Sequence, residues 1–226
     1  MKKLAIALAA FVFVIAVSIF PFNTASAQFG GYMGVFGGYT LISDATMWYY
    51  DYYYNYDYDI DVQKTWAVGL KLGYTPPRLK YFSFEFEYSF LNPDVDRTVL
   101  TPAGTGYATI EGNAKFNNFM FNAFVKYPEG KIHPYIGVGL GLSYVDVSFS
   151  TTPTVRSANN DDTVFAGQIL GGVDIDLTKN LSMDIGLRYF ATEAESDHDY
   201  YHDYGYYSPH LDYRISMVTL GLKYRF

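Results

Sequence analysis

Apolar and polar residues alternate strictly along most of this chain. A period of two belongs to strands with two chemically distinct faces; a helix of 3.6 residues per turn would smear the same positions around its circumference. Over residues 65–75 one side carries Trp66, Val68, Leu70, Leu72 and Tyr74, and the other Ala67, Gly69, Lys71 and Gly73. Over 81–91, Phe82, Phe84, Phe86, Tyr88 and Phe90 alternate with Ser83, Glu85, Glu87 and Ser89. The pattern recurs at 117–127, 135–145, 164–177, 181–190 and 213–226. In 135–145, for example, Ile136, Val138, Leu140 and Leu142 oppose Gly137, Gly139, Gly141 and Ser143. A further strand at about 31–42 is legible, but its inward and outward faces are not. Together these segments predict eight strands.

The connections alternate too. Those at 76–79, 128–131 and 178–180 are short, and those at 43–64, 92–113, 150–163 and 191–212 are long. An even number of strands joined alternately by short turns and long loops predicts an all-β fold, a single-domain, eight-stranded antiparallel up-and-down barrel. In the first short hairpin, placing Tyr74 opposite Phe82 matches every apolar residue with another and sets Lys71 across from Glu85, an opposite-charge pair. A slip of one residue would mix the faces.

Alternation leaves open which face points outward, since a soluble up-and-down barrel of the lipocalin kind has an apolar interior. Here the polar rows are mostly glycine, serine and a few charges, too sparse to coat a soluble surface. The apolar rows end in aromatics: Trp66, Tyr74, Phe82, Phe90, Tyr127, Tyr144, Tyr189, Tyr224 and Phe226. The eight residues from Trp66 to Tyr74, at ~3.3 Å each and a tilt near ~40°, span roughly 20 Å, the spacing of two aromatic girdles around a lipid-facing band. The content of 24 tyrosines, 20 glycines and 19% aromatics fits strands rather than helices. Beyond residue 27 no apolar run approaches the ~18 residues of a membrane helix, so any span there must be a closed barrel.

Residues 1–27 read as an export signal: Lys2 and Lys3, an apolar run over 4–20, and Ala25-Ser26-Ala27 as the cleavage site. An uncleaved helical anchor is the alternative. Cleavage leaves a domain of 28–226 and takes the formal charge from −7 to −9 by removing two lysines. That balance argues against nucleic acid as a partner. The absence of cysteine excludes disulfides and thiolate metal sites, and no cofactor is expected.

The segment His133-Pro134-Tyr135-Ile136-Gly137-Val138-Gly139-Leu140-Gly141 resembles the Pro-Tyr-x-Gly-x-Gly strand of the OmpA-like eight-stranded outer-membrane barrels. The ending Leu220-Gly221-Leu222-Lys223-Tyr224-Arg225-Phe226 is similar to the C-terminal strand those proteins present to the outer-membrane assembly machinery. The resemblance covers the whole of 28–226 in topology. It implies a barrel in the bacterial outer membrane, in contact with outer-membrane lipid and lipopolysaccharide, with assembly machinery engaging the strand that ends at Phe226. Short turns on the periplasmic side and long loops outside would leave both termini periplasmic. The separate peptidoglycan-binding domain of that family is not expected here.

An eight-stranded barrel is just wide enough to be filled by its own side chains. Lys71, Glu85, Glu87, Asp174, Asp184, Arg188 and Lys223 are therefore expected to form a packed internal ion network; a narrow ion pathway is the alternative. Pairing around the 178–180 turn would set Asp174 opposite Asp184 and recruit a cation such as Arg188 or Lys223. Outside, residues 44–63 hold seven tyrosines and five aspartates, and residues 193–212 hold five tyrosines, six acids, His198, His202 and His210. Such loops suit a solvated rim against lipopolysaccharide sugars and divalent cations, or an adhesive surface of rigid aromatics with polar tips. Asp197, His198, Asp199, His202 and Asp203 are the types that ligate transition metals, with His198, His202 and Asp199 the nearest candidates, though no fixed spacing is matched. Ser208, His210 and Asp212 have the types of a nucleophilic triad, with Pro209 intervening. The expected role is structural or surface-interacting rather than enzymatic; the alternatives are a narrow passive, porin-like pore and, behind it, a lipid A-modifying enzyme.

Overall fold

Among the described residues ten strands follow one another: β1 Gly31–Tyr50, β2 Asn55–Asp61, β3 Trp66–Tyr74, β4 Phe82–Leu91, β5 Asp94–Leu100, β6 Tyr107–Lys126, β7 Ile132–Thr152, β8 Ser157–Asp176, β9 Leu181–Glu195 and β10 His210–Arg225. The structure, a computed structural model, describes the backbone of residues 30–50, 55–61, 63–100, 107–152, 157–195 and 210–226. It describes side chains over 30–41, 63–94, 113–146, 148, 162–192 and 213–226. The expected export signal lies outside the described residues.

The ten elements are eight strands, two of them interrupted. Pairing of β1 with β3 (Tyr39↔Trp66) continues in the same register as pairing with β2 (Asp44↔Asp61). Likewise β6 pairs with β4 (Leu91↔Phe116) and then with β5 (Asp94↔Asn113). The second break falls at Asn92-Pro93, where proline cannot donate to a ladder. Each remaining strand is antiparallel to its sequence neighbour, and β10 returns to pair with β1 over Tyr32↔Arg225 to Trp48↔His210. Closure removes the sheet edges around the ring.

The wall is inverted relative to a water-soluble protein. Ile136, Val138 and Leu140 are 60–63% exposed, and Phe165, Leu187 and Leu220 are comparably bare. Lys71, Glu85, Glu87, Asp174, Asp184, Arg188 and Lys223 are all buried. An apolar belt of that extent is stable only against hydrocarbon. Trp66, Phe82, Tyr127, Tyr189 and Tyr224 point outward at its margins, Trp66 packing on Tyr39 with ring centroids 5.0 Å apart.

Three sequence expectations are corrected or completed. The β3–β4 hairpin pairs Tyr74 with Phe84 and Lys71 with Glu87, displaced by two residues from the expected register. The connection is longer than a tight turn, with a 3-10 turn at Pro77–Leu79 and Thr75 Oγ1 2.7 Å from Ser83 Oγ below it. A shift of two keeps every side chain on its face, so alternation cannot detect it. In β1, Tyr32, Phe36 and Thr40 face inward while Met33, Val35 and Leu41 face outward, up to an irregularity between Thr40 and Ile42. That strand was unreadable because its lumen row carries two aromatic rings. Finally, strand structure continues well into the segments at 43–64, 92–113, 150–163 and 191–212 where loops are expected. Apolar alternation marks the height of the lipid band, whereas tyrosine-, threonine- and valine-rich sequence supports strand pairing beyond it.

Candidate functional site

The lumen is built from rows that pair glycine with inward aromatic rings. A Cβ on Gly69 would lie 2.3 Å from the Phe36 ring, and one on Gly73 would lie 2.0 Å from the Tyr32 ring. Glycine on one strand thus makes room for a ring from the next, a use of glycine that alternation alone reads only as a sparse polar face.

Those rings frame an ion network at mid-barrel. Asp174 and Asp184 are paired neighbours on β8 and β9. Lys223 on β10 sits between them, its Nζ 2.7 Å from Asp184 Oδ2 and 3.0 Å from Asp174 Oδ1. Lys71 Nζ donates to Asp184 Oδ1 at 3.0 Å, Lys126 Nζ to Asp174 Oδ2 at 2.9 Å, and the Tyr135 hydroxyl to Asp184 Oδ2 at 2.9 Å. Arg188 donates to Glu87, and the Tyr32 hydroxyl donates to Glu85 Oε2 at 2.8 Å. Asn122 Nδ2 reaches both glutamates, and Gln168 in turn donates to Asn122. The Phe36 ring lies under both Arg188, at 4.3 Å, and Lys71, at 4.9 Å.

Four cations, Lys71, Lys126, Arg188 and Lys223, thus balance four carboxylates in number: Asp174 and Asp184 are each held by two cations and Glu87 by Arg188, while Glu85 is held by the Tyr32 hydroxyl and the Asn122 amide. Buried charges persist only when so paired. The structure brings all seven sequence-selected charges together and adds Lys126, on β6, through its contact with Asp174. It also corrects Lys71, whose ionic partner is Asp184 across the lumen rather than Glu85.

Toward the long-hairpin end the lumen turns apolar. Leu91, Phe116, Met120, Val145, Val164, Phe190, Tyr213, Ile215 and Met217 pack there with Ala67, Ala114 and Ala166, and Phe116 meets Tyr213 edge-on at 5.1 Å. The sequence signal was present: these apolar residues stand on rows that are polar further along the same strands. At the short-turn end the lumen opens instead into a vestibule of about 510 Å³ lined by Lys126, His133, Asp174, Asp176, Lys223 and Arg225, among others. His133 Nε2 and Arg225 Nη1 flank Asp176 there at 3.0 and 2.6 Å. Truncating Phe116 to alanine is expected to cost about 3–5 kcal/mol of stability, as for other buried aromatics. Urea unfolding of the refolded variant checks this; an unchanged midpoint would mean the apolar packing contributes little.

Above the lipid band the wall divides. Pairing of β3 with β4 ends at Ala67↔Leu91, and pairing of β8 with β9 ends at Ala166↔Thr192. Beyond those points β2, β1, β10 and β9 form one sheet and β5, β6, β7 and β8 another. The strands of the first carry Asp44, Asp57, Asp59, Asp61, Glu193, Glu195 and Asp212 among tyrosines; those of the second carry Asp94, Asp96, Glu111, Asp146, Asp161 and Asp162 among serines, threonines and asparagines, together with Arg97 and Lys115. The metal candidates His198, His202 and Asp199, with Ser208, lie outside the described residues, and His210 and Asp212 are placed only as backbone of β10.

Residues 7–226 match the family described as outer membrane protein beta-barrel domain. Uncharacterized proteins of Brucella abortus and Brucella suis are 30% identical over 130 residues, 47% of this chain and 46% of theirs. The match thus spans about half the length of these curated relatives. Among solved structures, the chain is similar to Neisserial surface protein A (16% identity, 87% of this chain and 97% of that one, TM-score 0.48). It is also similar to OprG from Pseudomonas aeruginosa (17% identity, 88% and 97%, TM-score 0.49). A third is Ail of Yersinia pestis in complex with the heparin analogue sucrose octasulfate (16% identity, 87% and 99%, TM-score 0.40).

Proposed function

The chain belongs to the outer membrane protein β-barrel domain family, and we propose that it is a surface-interaction protein of the outer membrane, its barrel a sealed support and its acidic, tyrosine-rich outer extension the recognising part. The observation that carries this reading is the filled lumen: Leu91 and Phe116 are wholly buried in the outer half, above a network whose cations and carboxylates balance in number. Chemistry is thereby displaced to the outer extension, where residues 44–63 and 193–212 hold 11 acids and 12 tyrosines without a lysine or arginine. Tyrosine supplies contact area at low entropic cost with a polar tip. In this reading the short turns and both termini are periplasmic, the acidic rim meets lipopolysaccharide and its divalent cations, and the strand ending at Phe226 is what the assembly machinery engages. No catalytic role is assigned.

The test is binding of the refolded protein to extracellular-matrix and glycan arrays, with the segments 51–54 and 196–209 shortened as controls. Saturable binding lost on shortening supports the reading; binding indifferent to both segments removes its basis. A narrow passive pore is the second reading, favoured by the vestibule that opens to the Lys223 level. Planar-bilayer recordings separate the two: little or no stable conductance is expected of the sealed barrel, and large steady openings would make the pore the better reading.

A further inference from the structure

Ring closure removes sheet edges from the barrel, yet the structure restores them where the wall divides above the lipid band, and at one of the two partings β2 and β5 stand edge to edge. β2 is paired with β1 and β5 with β6, and among the described residues no ladder joins β2 to β5. One backbone hydrogen bond, from Gln63 N–H to Asp94 O at 3.0 Å, ties the two together at the base. The parting is built into the wall: β3 and β4 are paired up to Ala67↔Leu91, then both strands break, at 63–65 and at Asn92-Pro93, with Pro93 fully buried. Their continuations resume in unchanged register on β1 and β6 rather than on each other. Unpaired strand edges are templates for another chain, and folds that do not use them ordinarily blunt them.

We infer that the seam between β2 and β5 takes up an extended peptide segment bearing lysine or arginine, which adds to the free edge of β2 as a further strand. The inference rests on the surface-interaction reading and names the class of partner. Backbone groups along the edge supply affinity for any extended segment, as in other strand-addition sites. Charge selects among them. β2 carries Asp57, Asp59 and Asp61 at alternate positions and β5 carries Asp94 and Asp96, against the single cation Arg97. Like charge on the two edges opposes their zipping together, and it equally opposes the same edge of a second copy, whereas a cationic strand is attracted to both.

The probe is an amidated peptide alternating lysine and valine over seven residues, titrated calorimetrically into the full refolded protein, with the same peptide N-methylated at alternate residues as comparison. N-methylation keeps the charge and removes the ladder donors. Saturable binding is expected for the first peptide. Roughly tenfold or greater weakening is expected both on N-methylation and for the triple variant Asp57→Asn, Asp59→Asn, Asp61→Asn, whose folding is checked by its heat-modifiable migration. A 13C-labelled peptide carbonyl should shift to the strand region of the amide I band when bound. Equal binding of the two peptides would overturn strand addition while leaving the surface-interaction reading standing. Absence of binding by the unmodified peptide would overturn the inference outright. Failure of the array experiment, by contrast, would strike the wider reading.

Discussion

Replacing Lys223 with methionine is expected to lower the unfolding free energy of the barrel by about 3–5 kcal/mol, the cost of removing one partner from a buried ionic cluster. Its ammonium lies 2.7 Å from Asp184 and 3.0 Å from Asp174, and those carboxylates are neighbours across the β8–β9 ladder. Without Lys223 the facing Asp184 and Asp174 keep only Lys71 and Lys126, and the network is left with one carboxylate more than it has cations. Adding Asp184→Asn to the variant should recover part of the loss, because cations and carboxylates in the network are then equal in number again. Arg188 cannot substitute, being engaged with Glu87. Urea unfolding in lipid vesicles, followed by tryptophan fluorescence, measures both variants. A loss below about 1 kcal/mol, the range of an exposed pair, would show that the network is not sealed from solvent.

A second large effect distinguishes two glycines that the sequence treats alike. A Cβ on Gly172 would lie 2.4 Å from the carbonyl oxygen of Ile185 and 2.6 Å from the Tyr135 hydroxyl. The first is wall backbone and the second is held by Asp184, so neither can retreat. Gly172→Val is expected to cost more than about 3 kcal/mol, beyond the usual range of overpacking, and to reduce the yield of heat-modifiable, folded protein. Gly37 faces outward, where an added Cβ meets nothing nearer than the Ala67 carbonyl at 4.0 Å. Gly37→Val should therefore fold as well as the parent, helped slightly by the strand preference of valine. Equal tolerance at both positions would mean that the interior is not close-packed.

That contrast also shows what could be read from the sequence and what could not. The eight strands, the closure and the identity of the charged lumen row were legible because each rests on a period of two. Registers differing by two were not, which is why Lys71 was set against Glu85 instead of Glu87, and why its real ionic partner, Asp184, 113 residues away, could not be found. Asp174 and Asp184 were placed opposite each other correctly because the turn between them is short. The faces of β1 stayed undecided because Tyr32 and Phe36 are lumen residues with the look of lipid-facing ones. Their inward direction follows from Gly73 and Gly69 on β3, and so from a pairing between strands that no single strand reveals. The apolar packing around Phe116 was missed for a related reason: an average over each row hides a change of polarity along it. The outer division into two sheets depends on where ladders stop, which composition does not encode.

The most direct test uses the absence of native cysteine. Single substitutions Val68→Cys, Leu140→Cys and Leu220→Cys, on β3, β7 and β10, carry nitroxide labels in protein refolded into lipid bilayers. Collision rates are then measured with molecular oxygen, which concentrates in hydrocarbon, and with a water-soluble nickel chelate. The expected result is strong relaxation by oxygen and weak relaxation by the chelate at all three positions. The reverse, with the chelate dominant, would place these side chains in water and contradict a wall that turns its apolar face to lipid.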